Sequence, residues 1–90
     1  MTVAKAARKL AKHGEVRRTG TQYWARIGTC VVSFLPNGED KPEATALNFH
    51  CRDVNDRHDM STDYHAGSYF DTITAAIAAA HRWTERKATA

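Results

Sequence analysis

Ninety residues, 42% hydrophobic and 26% charged, suit one ordinary globular domain over residues 1–90 and leave too little chain for a second core. No apolar run reaches the roughly 18 residues of a membrane-spanning helix, and MTVAKAARKLAKHGEV lacks the apolar stretch of a secretory signal. The expectation is therefore a cytoplasmic protein of a bacterial host, with no membrane partner and with Cys30 and Cys51 as reduced, buried thiols.

The net charge is +3, and it is unevenly placed. Residues 1–28 hold Lys5, Arg8, Lys9, Lys12, Arg17, Arg18 and Arg26 against Glu15 alone. Residues 29–71 hold Glu39, Asp40, Glu43, Asp53, Asp56, Asp59, Asp63 and Asp71 against Lys41, Arg52 and Arg57. A basic start beside an acidic middle points either to an anionic partner or to two parts of one fold that face each other.

In chain order, TVAKAARKLAKHG spaces Val3, Ala6, Ala7, Leu10 and Ala11 as one helical stripe, with Thr2 as N-cap and Gly14 at the end. Lys5, Arg8, Lys9 and Lys12 fall mainly on the opposite face. EVRRTGTQYWARIGTCVVSFLPNGED is rich in β-formers, and predicts a strand over about 15–27, bent at Gly20, then one over about 29–35 after Gly28. PNGEDKPE is a turn. ATALNFHCR predicts a third strand, with Thr45, Leu47, Phe49 and Cys51 on its buried face and Ala44, Ala46, Asn48 and His50 on the other. DTITAAIAAAHRWTERKA predicts a final helix, capped by Asp71 or Thr72, with Ile73, Ala76, Ile77 and Ala80 inward and Trp83 or Thr84 continuing the stripe. The outline is α+β, in the order α-β-β-β-α. Both terminal helices pack on an antiparallel sheet of three to four strands.

Between the last strand and the final helix, HCRDVNDRHDMSTDYHAG concentrates three histidines, one cysteine and four aspartates. An EF-hand register from Asp53 fails, because its fifth position is Arg57 and its twelfth Tyr64. Zinc is poorly served by His50, Cys51, His58 and His65: no C-x-x-C pair is present, and adjacent strand residues point to opposite faces. Magnesium-assisted hydrolysis would need Asp56, Asp59 or Asp63 to converge beside a histidine. Loop aspartates more commonly make turns and caps, and neither a phosphate-cradling glycine motif nor G-x-S-x-G is present. The expectation is a non-enzymatic protein with no cofactor and no metal. A structureless loop of this length is uncommon in a small domain and tends to be functional, so it is read as an ordered loop pinned by Tyr64, Tyr69 and Phe70.

The stretch DRHDMSTDYHAGSYFDTITAAIAAA, Asp56 to Ala80, resembles a pattern of small phage and mobile-element proteins. There an Asp-rich segment runs into (S/T)-D-Y-x-x-G-x-(F/Y) and an Ala-rich helix. EVRRTGTQYWARIGTCVVSFLPNGE is similar in layout to the large polyvalent protein-associated domains of such elements. The resemblance implies a small accessory factor and carries over no catalytic residues.

Two functions follow. In the first, the protein binds a host protein through its loop, with Asp59, Asp63, Tyr64, His65 and Tyr69 as the partner-binding residues. In the alternative it binds nucleic acid through Lys5, Arg8, Lys9, Lys12, Arg17 and Arg18, with Trp24 and Tyr23 available to stack on bases. The α-β-β-β-α order resembles double-stranded RNA-binding domains in topology only, since the start of the last helix, DTITAAIA, carries no lysine. An exposed sheet edge or uncovered sheet face would also allow a homodimer.

Overall fold

A computed structural model describes residues 1–38, 44–53 and 67–89. The chain opens with helix α1, Val3–Ala11. Thr2 caps it as its spacing predicts, its Oγ1 accepting the Lys5 amide at 3.2 Å. Val3, Ala6 and Leu10 are buried, while Lys5, Arg8 and Lys12 are exposed.

The strand expected over 15–27 is a hairpin of two, β1 (Arg17–Thr19) and β2 (Gln22–Ile27). Thr19 pairs with Gln22, so Gly20 and Thr21 form a two-residue loop, and Gly20 takes φ +61°. That left-handed conformation belongs to the tight turns whose twist matches a hairpin. Gly28, at φ +59°, repeats the device between Ile27 and Cys30, where β3 (Cys30–Asn37) begins.

β4 (Thr45–Asp53), β5 (Gly67–Phe70) and helix α2 (Ile73–Thr89) complete the order. Thr72 caps α2, accepting the Ala75 amide at 3.1 Å. The strands form an antiparallel meander, β1-β2-β3-β4-β5. The α+β architecture with terminal helices on an antiparallel sheet is as expected, but with five strands. The extra ones are the short edge strands β1 and β5. Short edges offer little backbone for unwanted pairing. At the start of β4 the chain's own beginning closes the edge: Val3 N donates to Ala44 O at 2.6 Å, and Ala46 N to Met1 O at 2.9 Å.

The core lies between the sheet and both helices. Ala25, Ile27, Cys30, Val32, Phe34, Phe49 and Cys51 point from the strands towards Leu10 of α1 and Ile73, Ala76, Ile77, Ala79 and Ala80 of α2. The alanines let α2 lie close to the strands, and α2 touches β2, β3, β4 and β5. Phe34, fully buried, stacks on Tyr23 (ring centroids 5.4 Å apart) and tilts against Phe49 at 6.0 Å. Removing such a ring costs about 3–5 kcal/mol.

The alternation expected along β4 breaks at one residue. Ala46 is buried and Leu47 is 38% exposed, the reverse of the sequence expectation, whereas Phe49 and Cys51 are buried as expected. Asn48, at φ +55°, is an extra residue where the pairing with β3 shifts between Ser33 and Leu35. A β-bulge resets the phase of every residue before it.

Candidate nucleic-acid interface

Strand alternation places every second side chain on the face turned away from the helices. In β2 these are Gln22, Trp24 and Arg26, between the inward Tyr23, Ala25 and Ile27. In β4 beyond the bulge they are His50 and Arg52, on either side of the buried Cys51. No helix covers this face among the described residues.

Register aligns these positions into two rows. The first runs Arg17, Trp24, Ser33, His50, Tyr69 across all five strands. The second runs Arg26, Val31, Arg52, Gly67 from β2 to β5. The same aromatic-x-Arg pattern thus occurs on β2 (Trp24, Arg26) and β4 (His50, Arg52), one on each side of β3. Corresponding residues lie two strand spacings apart, roughly 10 Å.

The aromatic groups are held rather than loose. The Trp24 indole N–H donates to Thr19 Oγ1 at 3.0 Å, across the first hairpin. The His50 and Tyr69 rings lie 4.8 Å apart at 47°. Tyr69 is 57% exposed on the edge strand, while Trp24 and His50 are half-buried. Ser33, between Trp24 and His50, is only 4% exposed.

Among the described residues the strand positions on this face include Arg17, Arg26 and Arg52 and no carboxylate. Glu15, just before β1, pairs with Arg17 at 3.1 Å. Both partners are well exposed, so this pair is weak. Arg26 Nε donates to Gly28 O at 3.2 Å, which orients the guanidinium along the turn.

The residues singled out from the sequence divide between the two sides of the molecule. Lys5 and Arg8 are exposed on α1, and Lys12 is exposed just after its end. Lys9 and Lys12 line a groove of about 410 Å³ between the helices, with His13, Thr74, Ile77, Ala78 and His81. Arg17 stands opposite Trp24, on the face turned away from α1 and α2. Arg18 points the other way and lies 5.6 Å from the Tyr23 ring centre. The sheet therefore separates the α1 lysines from Arg17. Tyr69 belongs to a strand, not to a loop, and sits beside His50. Asp59, Asp63, Tyr64 and His65 lie outside the described residues, as do Asp56 and His58. His50 and Cys51 occupy opposite faces, so they do not converge on one ion. No group of three His, Cys, Asp or Glu side chains gathers among the described residues.

Arg52 and His50 were not singled out together from the sequence. The signal was present in the alternation: WAR and HCR each place a ring and an arginine two apart around a small residue, which is one face of a strand.

Cys30 and Cys51 are both free, buried and on adjacent strands. Burial, the neighbouring Cys30 thiol and Asp53 push the Cys51 thiol up to about 12. It is a packing group at neutral pH, not a nucleophile.

No family model, curated protein or solved structure matches the chain.

Proposed function

We propose that this protein is a non-enzymatic nucleic-acid-binding module that works through the face of its sheet turned away from α1 and α2. The observation carrying this reading is the paired aromatic-x-Arg arrangement on β2 and β4, aligned in register across β3. Arginine meets phosphate with a planar fork of donors, and rings beside it give the sugar and base an apolar surface. The absence of carboxylates from strand positions on the described part of this face suits a polyanion.

The lysines of α1 are not needed for this reading, and the interface moves from the first helix to the sheet. The reading in which a host protein is the partner rests chiefly on Asp59, Asp63, Tyr64 and His65, which lie outside the described residues. Tyr69 serves either. An origin in a phage or mobile element, as the pattern from Asp56 to Ala80 suggests, accords with a small accessory protein of this kind.

The test is fluorescence anisotropy with labelled DNA and RNA oligonucleotides over a range of salt. Three arginines on phosphates of a single strand give a log–log salt slope of roughly −2. Arg26→Glu with Arg52→Glu weakens binding at least tenfold, whereas Arg8→Glu, on the other side of the molecule, changes it less than twofold. Equal affinity for the double variant and the wild type would overturn the proposal.

A further inference from the structure

We infer that the nucleic acid bound on this face is single-stranded, with one base stacked on Trp24 and another on Tyr69. This rests on the reading above and adds the strand state and the two stacking positions.

A duplex is read by an element that enters a groove, commonly a helix or a two-stranded ribbon. Here both helices lie behind the sheet, and the basic face is the broad middle of a five-stranded meander. Such a surface reaches only the phosphate ridges of a duplex. A single strand instead lays its bases flat on exposed rings.

The two rings are prepared for this in different ways. The Trp24 N–H is already bonded to Thr19 Oγ1, so the indole offers its surface to a ligand and not a donor. That bond also fixes the ring before binding and lowers the entropy lost on association. Tyr69 is the most exposed ring on the face, and the His50 ring supports it at 4.8 Å.

Spacing fits a short stretch of chain. Trp24 and Tyr69 are separated by three strand spacings, roughly 14 Å, room for about two or three nucleotides, as other sheet platforms hold. Arg26 and Arg52 stand in the adjoining row, two residues along each strand. They can meet phosphates while bases lie on the first row.

The chain's two tryptophans supply a direct probe. Wild type, Trp24→Phe and Trp83→Phe are titrated with oligo-dT and oligo-U of about ten nucleotides, a length that one small module covers, and with duplexes of equal length. Single strands should quench wild type and Trp83→Phe, and leave Trp24→Phe unquenched. Duplexes should bind at least tenfold more weakly. Tyr69→Ala, at an exposed position, should weaken single-strand binding about tenfold by anisotropy with unchanged circular dichroism. Duplex binding as tight as single-strand binding, or quenching that survives Trp24→Phe, would overturn the stacking arrangement. If Arg26→Glu with Arg52→Glu still abolished binding in that case, the electrostatic reading would stand alone. No binding of any oligonucleotide would overturn both.

Discussion

Thr84 of α2 packs directly onto Gly28 in the turn between β2 and β3. Its Oγ1 accepts the Thr29 amide at 3.1 Å and donates to the Ile27 carbonyl at 3.4 Å. A Cβ at position 28 would overlap the Thr84 Oγ1 and Cγ2. This contact ties the far end of the final helix to the hairpin that presents Trp24 and Arg26.

Gly28→Ala and Gly20→Ala therefore separate two effects. Both residues have positive φ, but nothing lies within 4 Å of a Cβ at Gly20. Gly20→Ala carries the backbone cost alone, about 1 kcal/mol. Gly28→Ala adds the clash with Thr84 and costs about 2–4 kcal/mol. Thermal melts of the two variants should differ by roughly 5 °C or more for a domain of this size. Equal melting temperatures would show that the Thr84 contact does not hold the turn.

Cys51 gives the alkaline side of the stability profile a definite sign. Its thiol is raised from the ordinary 9.0 to about 12, first by burial and then by Cys30 and Asp53. In the unfolded chain the same thiol ionises near its ordinary value, so between pH 9 and 12 the unfolded state holds fewer protons. Stability is then fully present below pH 9 and falls as pH rises towards 12. Urea melts across that window should show a steeper loss for the wild type than for Cys51→Ala, after allowing for the lower starting stability of the variant. At pH 8 a thiol reagent should leave Cys51 unmodified until denaturant is added.

The helices were legible because their signals are local. Thr2 and Thr72 cap where a hydroxyl precedes an apolar stripe, and Val3, Ala6, Leu10, Ile73, Ala76, Ile77 and Ala80 bury as the 3.6-residue period requires. The sheet was legible where alternation is unbroken, as from Tyr23 to Ile27. It failed at Gly20, where one glycine in a polar run looks the same as a bend or a hairpin. It failed again at Tyr69, whose short edge strand is defined by pairing to His50, a contact no local pattern encodes. The interface was half legible for the same reason. The pairs Trp24/Arg26 and His50/Arg52 can each be read from alternation, but their alignment across Ser33 and Val31 is a matter of register.

Asn48 carries a prediction opposite to the one its strand position invites. In an ordinary strand a β-branched residue is favoured, so Asn48→Val would be expected to stabilise. At φ +55° valine is strained, and Asn48→Val should destabilise by about 1–3 kcal/mol. Asn48→Gly should be close to neutral. Chemical denaturation of both variants decides the matter, and a stabilising valine would mean that β4 runs without its bulge.

His13 and His81, far apart in sequence, join the end of α1 to the middle of α2. His81 Nε2 and His13 Nδ1 lie 2.9 Å apart, and the rings meet edge to face with centroids at 5.0 Å. One imidazole must donate and the other accept, so the bond needs both residues. Both are exposed, so water competes and the net contribution is about 0.5–1 kcal/mol. A double-mutant cycle with His13→Ala and His81→Ala should return a coupling energy of that size, since removing either ring already breaks the bond. Strictly additive losses would mean that the imidazoles do not hold each other in solution. The measured coupling also bears on the nucleic-acid reading. The helices brace the sheet from behind, so a loosened α1–α2 contact should lower the melting temperature while leaving oligonucleotide affinity on the opposite face within twofold of wild type.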